Sequence, residues 1–92
     1  MKYEFKVEQY HIDRAIEAKK KNVNCLLTVN CPIAQVLREQ VHNEISVGSD
    51  DIQLWNKKIA TPHQDCEKYL LCSSRAWHTL KPGVITIETL DN

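Results

Sequence analysis

The sequence predicts a small α+β protein folded as a single domain over residues 1–92, and two patterns carry this prediction. Near the N-terminus, Tyr3, Phe5 and Val7 alternate with charged residues, the period-2 pattern of a strand with one buried face. From His11 onward the apolar spacing becomes helical, and strand-like alternation returns further along the chain. Strands divided by helices and one hairpin predict the order β-α-α-β-β-α-β, with a small four-stranded, mostly antiparallel or mixed sheet and helices packed on one face.

The first half of the chain predicts two helices. Ile12, Ala15 and Ile16 fall at helical intervals, and the run Lys19-Lys20-Lys21 ends this helix, where positive charge favours the helix dipole. Residues 22–30 are predicted to be an apolar connection. Cys31-Pro32 then begins the second helix, because proline at the first helical position sacrifices no required hydrogen bond.

The second half predicts a hairpin, a third helix and a last strand. Alternation over residues 44–55, interrupted by Gly48-Ser49-Asp50-Asp51, predicts a β-hairpin with a four-residue loop. Thr61-Pro62-His63-Gln64 matches a capping box with proline at the first helical position, and it predicts a helix that starts at residue 62. Lys81-Pro82-Gly83 ends this helix, and residues 84–90 form the last predicted strand.

Charge and hydropathy narrow the class of protein. Twelve basic and twelve acidic residues cancel, whereas nucleic-acid binders usually carry a basic excess, so nucleic acid is not expected as a partner. A net charge of zero also provides no electrostatic repulsion against self-association, so an oligomer stays open. No apolar run approaches the roughly 20 residues that span a bilayer, and the N-terminus does not have the pattern of a signal peptide. We therefore expect a cytoplasmic protein with reduced thiols and no membrane contact.

Cys31 is the clearest candidate for a chemically reactive side chain. If Cys31 is the N-cap of the second helix, the helix dipole favours its thiolate form and so raises its reactivity. Any of the four histidines is a candidate general base. Cysteine is equally common as a small buried hydrophobic residue, and both interpretations stay open.

The four cysteines also raise the question of zinc. The spacings Cys25-x5-Cys31 and Cys66-x5-Cys72 are poor for a zinc site, and two cysteines six apart on a helix diverge around its axis. His63 with Cys66 has better spacing but no evident further ligands. No metal and no cofactor are predicted.

The predicted recognition residues are aromatic and basic. Trp55 and Trp77 are candidate partner anchors because tryptophan is enriched at interface hot spots, although each also fits in a core. Arg75 and His78 flank Trp77, and the Arg75 guanidinium could bind a carboxylate or phosphate through two donors. Lys57 follows the hairpin and adds charge. No nucleophile-elbow, zinc-protease, Walker or dinucleotide-binding pattern occurs, and we expect no catalytic residues and no enzyme.

A resemblance to a known family rests on His11-Ile12, on Cys31-Pro32-Ile33-Ala34 and on the Val36-Leu37 that follows. The chain resembles a family of short bacteriophage and prophage proteins that pair an N-terminal "HI" with a "CPIA" helix start, although Gln35-Val36-Leu37 replaces the more usual small residues. The family supplies no catalytic residues for this sequence. The resemblance implies a protein of the host cytosol that acts by binding.

Three functions are consistent with these patterns. The first is a non-enzymatic phage-type binding protein that interferes with a host defence protein, either alone or as a homo-oligomer. The second is an oligomeric sponge that sequesters a signalling nucleotide, and the third is a thiol or zinc protein centred on Cys31.

Overall fold

The computed structural model describes residues 1–21 and 27–90, with the side chains of 27, 28 and 71–74 left out. The described residues have the predicted α+β class, with three α-helices and one sheet. In chain order the elements are β1 (Lys2–Val7), α1 (Gln9–Lys21), α2 (Leu27–Asn30), α3 (Pro32–Gln40), β2 (Ile45–Val47), β3 (Ile52–Leu54), β4 (Lys57–Pro62), two 3-10 helices (Gln64–Tyr69 and Leu71–Thr79) and β5 (Gly83–Thr89).

The sheet has five strands in the order β1-β5-β4-β3-β2, and all neighbours are antiparallel. The prediction of four strands was wrong because it missed β4. The register shifts between β3 and β4, so that Ile52 faces Ala60 while Gln53 faces Lys58, and Ile59 has no partner residue on β3. This bulge removes the strict alternation that would have marked residues 57–62 as a strand.

The predicted helix from residue 62 is also wrong. Thr61 and Pro62 belong to β4, and the following turn of chain is a 3-10 helix whose N-cap, His63, makes no side-chain capping bond. Pro62 faces Ile87 at the last paired position of β4. The missing N–H costs no bond to β5, because Ile87 directs its backbone groups toward β1 and forms a non-hydrogen-bonded pair with Pro62. The 44–55 hairpin, in contrast, is confirmed as β2 and β3 with a loop over 48–51.

α3 packs on the buried face of the sheet. α3 contacts both β1 and β2, and α1 packs on α3. The opposite face carries exposed polar side chains such as Lys2, Glu4 and Lys6. The buried core contains these residues: Val7, Ile12, Ala15, Ile33, Ala34, Val36, Leu37, Ile45, Val47, Ile52, Ala60, Ile85 and Ile87. Among the described residues, no helix has the length and apolar character to cross a membrane.

A polar cluster fastens α1 to α3. His11 is fully buried; its Nδ1 accepts from the Glu8 backbone N–H at 2.9 Å, and its Nε2 lies 3.2 Å from Glu39 Oε1. Tyr10 donates its hydroxyl to the same carboxylate oxygen, and Arg14 lies 3.7 Å from the other. The hydrogen bond from Tyr10, followed by that from His11, holds the pKa of Glu39 below its ordinary value. His11 of the "HI" pair is therefore a packing residue here.

Candidate functional site

The structure separates the five predicted recognition residues into two surfaces. Trp55 and Lys57 lie at the turn between β3 and β4, which we call the hairpin tip (residues 55–58). Arg75, Trp77 and His78 lie on the second 3-10 helix and line a groove against α1. The two sets are therefore parts of separate sites rather than one patch.

Trp55 dominates the hairpin tip. Its side chain is 72% exposed, and its backbone φ of 53° is followed by 65° at Asn56. Two consecutive positive φ values in a two-residue connection define a type I′ turn, where Asn and Gly are preferred and a bulky residue is a conformational outlier. The sequence therefore displays one of its two tryptophans at a backbone position that disfavours a bulky side chain.

The surroundings of Trp55 are aromatic and basic. The His42 ring packs edge-on against it, with centroids 5.1 Å apart and planes at 78°. His42 is held in place because its Nδ1 accepts from the Glu44 backbone N–H at 3.0 Å. Lys57 and Lys58, which complete the hairpin tip, are exposed. An apolar centre with a polar margin is the usual arrangement of a protein-binding surface.

The second surface is a groove of about 380 Å³ between α1 and the second 3-10 helix, which we call the cationic groove. Its lining residues are Ile16, Lys19, Lys20, Arg75, Trp77 and His78. Sequence reasoning placed Arg75, Trp77 and His78 in one patch but did not connect them to the lysines of α1. No signal in the sequence marks that contact, because it forms only when the 3-10 helix packs on α1.

Trp77 forms the floor of the cationic groove rather than an exposed binding face. It is only 1% exposed, and its indole N–H donates to the Leu70 carbonyl at 3.2 Å. Lys19 Nζ lies 5.8 Å from the ring centroid, within reach of a cation–π contact. The buried ring is not available to stack on a base, whereas the exposed Arg75 and His78 can meet an anionic group.

Cys31 has the predicted N-cap position, and its surroundings favour the structural interpretation over the reactive one. Its Sγ accepts from the Ala34 backbone N–H at 3.4 Å, and the residue is fully buried. Burial outweighs the helix N–H groups and raises the pKa of the Cys31 thiol to about 11. At neutral pH the side chain is therefore a protonated, solvent-inaccessible thiol.

Cys66 is part of a second small polar cluster that ties the first 3-10 helix to β5. Its thiol donates to the Thr86 carbonyl at 3.3 Å, and Asp65 accepts from the Thr86 backbone N–H at 3.0 Å and hydroxyl at 2.7 Å. Burial, with the adjacent Asp65 charge, raises the pKa of Cys66 to about 12. Burial works against ionisation of Asp65, but the two bonds from Thr86 hold its pKa below the ordinary value.

The zinc question concerns residues that the structure describes only in part. Cys25 lies outside the described residues, as does the side chain of Cys72. Within the part of the chain that is described, no group of three or more His, Cys, Asp or Glu side chains could hold a metal ion.

A third surface feature is an apolar hollow of about 210 Å³ on the helix-bearing face of the sheet. Tyr3 and Phe5 of β1 line one side of it. The other lining residues are Leu37, Val41, Ile45, Ile52, Ile59, Ala60, Ile87 and Thr89. The short α3 leaves this part of the sheet only partly covered.

Comparisons of the chain with protein families, with curated proteins and with solved structures give no match.

Proposed function

We propose that the protein is a non-enzymatic binding protein that contacts a partner protein through the hairpin tip. One observation carries this proposal: Trp55 is 72% exposed at a turn position where its backbone conformation is unfavourable. Backbone strain of this kind costs about 1–3 kcal/mol and is concentrated at functional sites. We therefore infer that the exposed Trp55 side chain serves binding to a partner and not the stability of the fold.

The chemistry of the hairpin tip defines the partner surface. Tryptophan is enriched among interface hot spots and buries about 150–250 Å² when it enters a pocket. Lys57 and Lys58 beside it favour carboxylates around that pocket. The partner is therefore a protein with an apolar pocket bordered by acidic residues. In the phage setting that the resemblance implies, it is a host protein.

The test compares what the wild-type chain and two variants capture from host lysate. Trp55→Asn removes the anchor and suits the turn, so its fold is expected to be retained. Val84→Asn is the matched control, because Val84 is an exposed apolar residue (51%) on a different strand. The proposal expects a protein that the wild type and Val84→Asn both capture and Trp55→Asn loses. Capture that is unchanged by Trp55→Asn contradicts it.

The interaction is then verified with the purified partner by tryptophan quenching. The chain has two tryptophans, Trp55 exposed and Trp77 buried, so acrylamide quenches mainly Trp55 in the free protein. Binding through the hairpin tip protects that fluorescence. Quenching that stays the same in the complex would place the interface elsewhere.

A second candidate function, the nucleotide sponge, is favoured by the cationic groove. Lys20, Arg75 and His78 line one recess in a chain of zero net charge, which concentrates positive potential there. The buried Trp77 does not support base stacking, so recognition would rest on the phosphates. Native mass spectrometry of protein purified without ligand, followed by calorimetric titration with ATP and inorganic phosphate, tests this function. Binding that Arg75→Glu abolishes and Lys58→Glu preserves supports it, and the absence of any heat or added mass eliminates it.

A further inference from the structure

β1 is an edge strand whose outer backbone groups can be assigned. The Thr89 N–H donates to the Met1 carbonyl at 2.9 Å, which makes this a hydrogen-bonded pair of the β1–β5 ladder. In an antiparallel ladder such pairs alternate along the strand, so Tyr3, Phe5 and Val7 also direct their backbone groups toward β5. The N–H and C=O groups of the intervening residues, Lys2, Glu4 and Lys6, consequently point toward the open edge.

The contacts of Thr86 support this assignment independently. Thr86 faces Glu4 in the register, yet its N–H donates to Asp65 and its carbonyl accepts from the His63 N–H. Both of its backbone groups therefore point away from β1. Glu4 and Thr86 are a non-hydrogen-bonded pair, and the Glu4 backbone groups face outward.

We propose that β1 pairs antiparallel with β1 of a second copy of this chain, around a two-fold axis at Phe5. In this register Lys2 faces Glu8 of the second copy and Glu4 faces its Lys6. On the opposite face Phe5 meets its own counterpart, and Tyr3 lies across from Val7, whose side chain is buried within its own copy. An unpaired edge strand is a template for such pairing.

The charges of β1 select this register. Each charged side chain from Lys2 to Glu8 meets the opposite sign, and facing opposite charges stabilise a strand pair. A displacement by two residues in one direction places Lys2 against Lys6 and Glu4 against Glu4. The opposite displacement places Lys6 against Lys6 and Glu4 against Glu8. Both displacements bring like charges together, which is destabilising.

The backbone limits the pairing to the centre of the strand. The Glu8 N–H donates to His11 Nδ1, and the Glu8 carbonyl accepts from the N–H groups of His11 and Ile12. Glu8 therefore contributes only its side chain, and no backbone hydrogen bond, to the pairing of the two β1 strands. The ladder is formed by the two symmetric pairs of Glu4 with Lys6, each of which exchanges both of its backbone bonds.

The same edge exposes apolar surface that a second copy would cover. Tyr3 is 45% exposed and, with Phe5, lines the apolar hollow beside the edge. The zero net charge of the chain provides no general repulsion between copies. This surface belongs to β1 and is separate from the hairpin tip. The dimer proposal therefore does not depend on the proposed function.

A charge-swap experiment tests whether the facing charges of β1 stabilise the dimer. One variant carries Lys2→Glu with Lys6→Glu, and the other carries Glu4→Lys with Glu8→Lys, so that each has like charges along its strand. Analytical ultracentrifugation should show a wild-type dimer and a dissociation constant raised roughly tenfold or more in each variant. An equimolar mixture should restore dimers, because every facing pair is then complementary. A monomeric wild type at all concentrations, or a mixture no tighter than its components, overturns the proposal.

A proline substitution tests the backbone assignment. Glu4→Pro removes an outward N–H and leaves the ladder to β5 intact, so the variant should keep its circular dichroism spectrum and become monomeric. The control, Lys57→Glu with Lys58→Glu, changes two charges away from β1 and should dimerise like the wild type. A Glu4→Pro variant that dimerises as tightly as the wild type would show that β1 is not the interface.

Discussion

The contact between Tyr69 and Gly83 yields a prediction whose size follows from the geometry. Tyr69 is fully buried, and its hydroxyl donates to the Lys81 carbonyl at 2.8 Å. A Cβ atom added at Gly83 would lie 2.8 Å from that hydroxyl oxygen, closer than carbon and oxygen normally approach. Gly83→Ala should therefore destabilise the protein by about 1–3 kcal/mol, the usual cost of overpacking a buried site.

Removal of the hydroxyl should relieve much of this clash. Tyr69→Phe alone loses one partly buried hydrogen bond, at a cost of about 0.5–1.5 kcal/mol. In the double variant the alanine methyl no longer meets an oxygen. The loss in the free energy of unfolding should therefore be smaller than the sum of the two single losses by about 1 kcal/mol. Urea unfolding measures these free energies, and thermal midpoints should move by roughly 4–8 °C per kcal/mol in a domain of this size.

The control for this cycle replaces a tyrosine that does not contact Gly83. Tyr10→Phe lies on α1, where its hydroxyl meets Glu39, and it should add to Gly83→Ala within about 0.5 kcal/mol. If Tyr69→Phe and Gly83→Ala prove equally additive, the tight packing of Tyr69 on β5 does not exist and the reasoning is refuted.

Three further predictions concern pH, thiol reactivity and turn strain. Because the pKa of Asp65 in the folded chain lies below the ordinary 3.8, its stabilising effect is complete above that value and is lost as the pH falls through the folded pKa. Asp65→Asn should therefore flatten the acid side of a plot of melting temperature against pH, and an acid side as steep as that of the wild type would contradict this. Cys31, with a thiol pKa of about 11 and no exposure, should resist iodoacetamide at pH 8 until urea is added, and peptide mass mapping that finds it alkylated in the native protein would contradict this. Trp55→Asn with Asn56→Gly should raise the free energy of unfolding by about 1 kcal/mol, and an unchanged or lower melting temperature would show that the turn is not strained.

Sequence patterns predicted those parts of the fold where local periodicity and tertiary position agree. Tyr3, Phe5 and Val7 all project to one face of β1, and Cys31 caps α3 as expected. β4 was not predicted for two reasons. The bulge at Ile59 breaks its alternation, and the Trp55-Asn56 turn lacks the glycine that usually marks a type I′ hairpin.

The false helix at residue 62 shows that a local motif can be outweighed by sheet pairing. Thr61-Pro62-His63-Gln64 satisfies the sequence rule for a capping box, but Thr61 faces Glu88 in the sheet instead. The candidate sites likewise could not be predicted from local sequence patterns. The exposure of Trp55 depends on the hairpin, and the cationic groove joins Lys20 to Arg75 across more than half of the chain. Periodicity in a single segment contains no information on such distant contacts.

The position of β5 has a consequence for how the protein is made. β5 lies between β1 and β4, so the sheet is divided until the last described strand is in place. Met1 and Thr89 bond to each other although they are 88 residues apart in the chain. On the ribosome, the β2–β3–β4 meander can form early, whereas β1 can pair only after β5 (Gly83–Thr89) has been synthesised. Pairing across such a separation is slow, and during that wait the edges of both β1 and β4 are open to other chains.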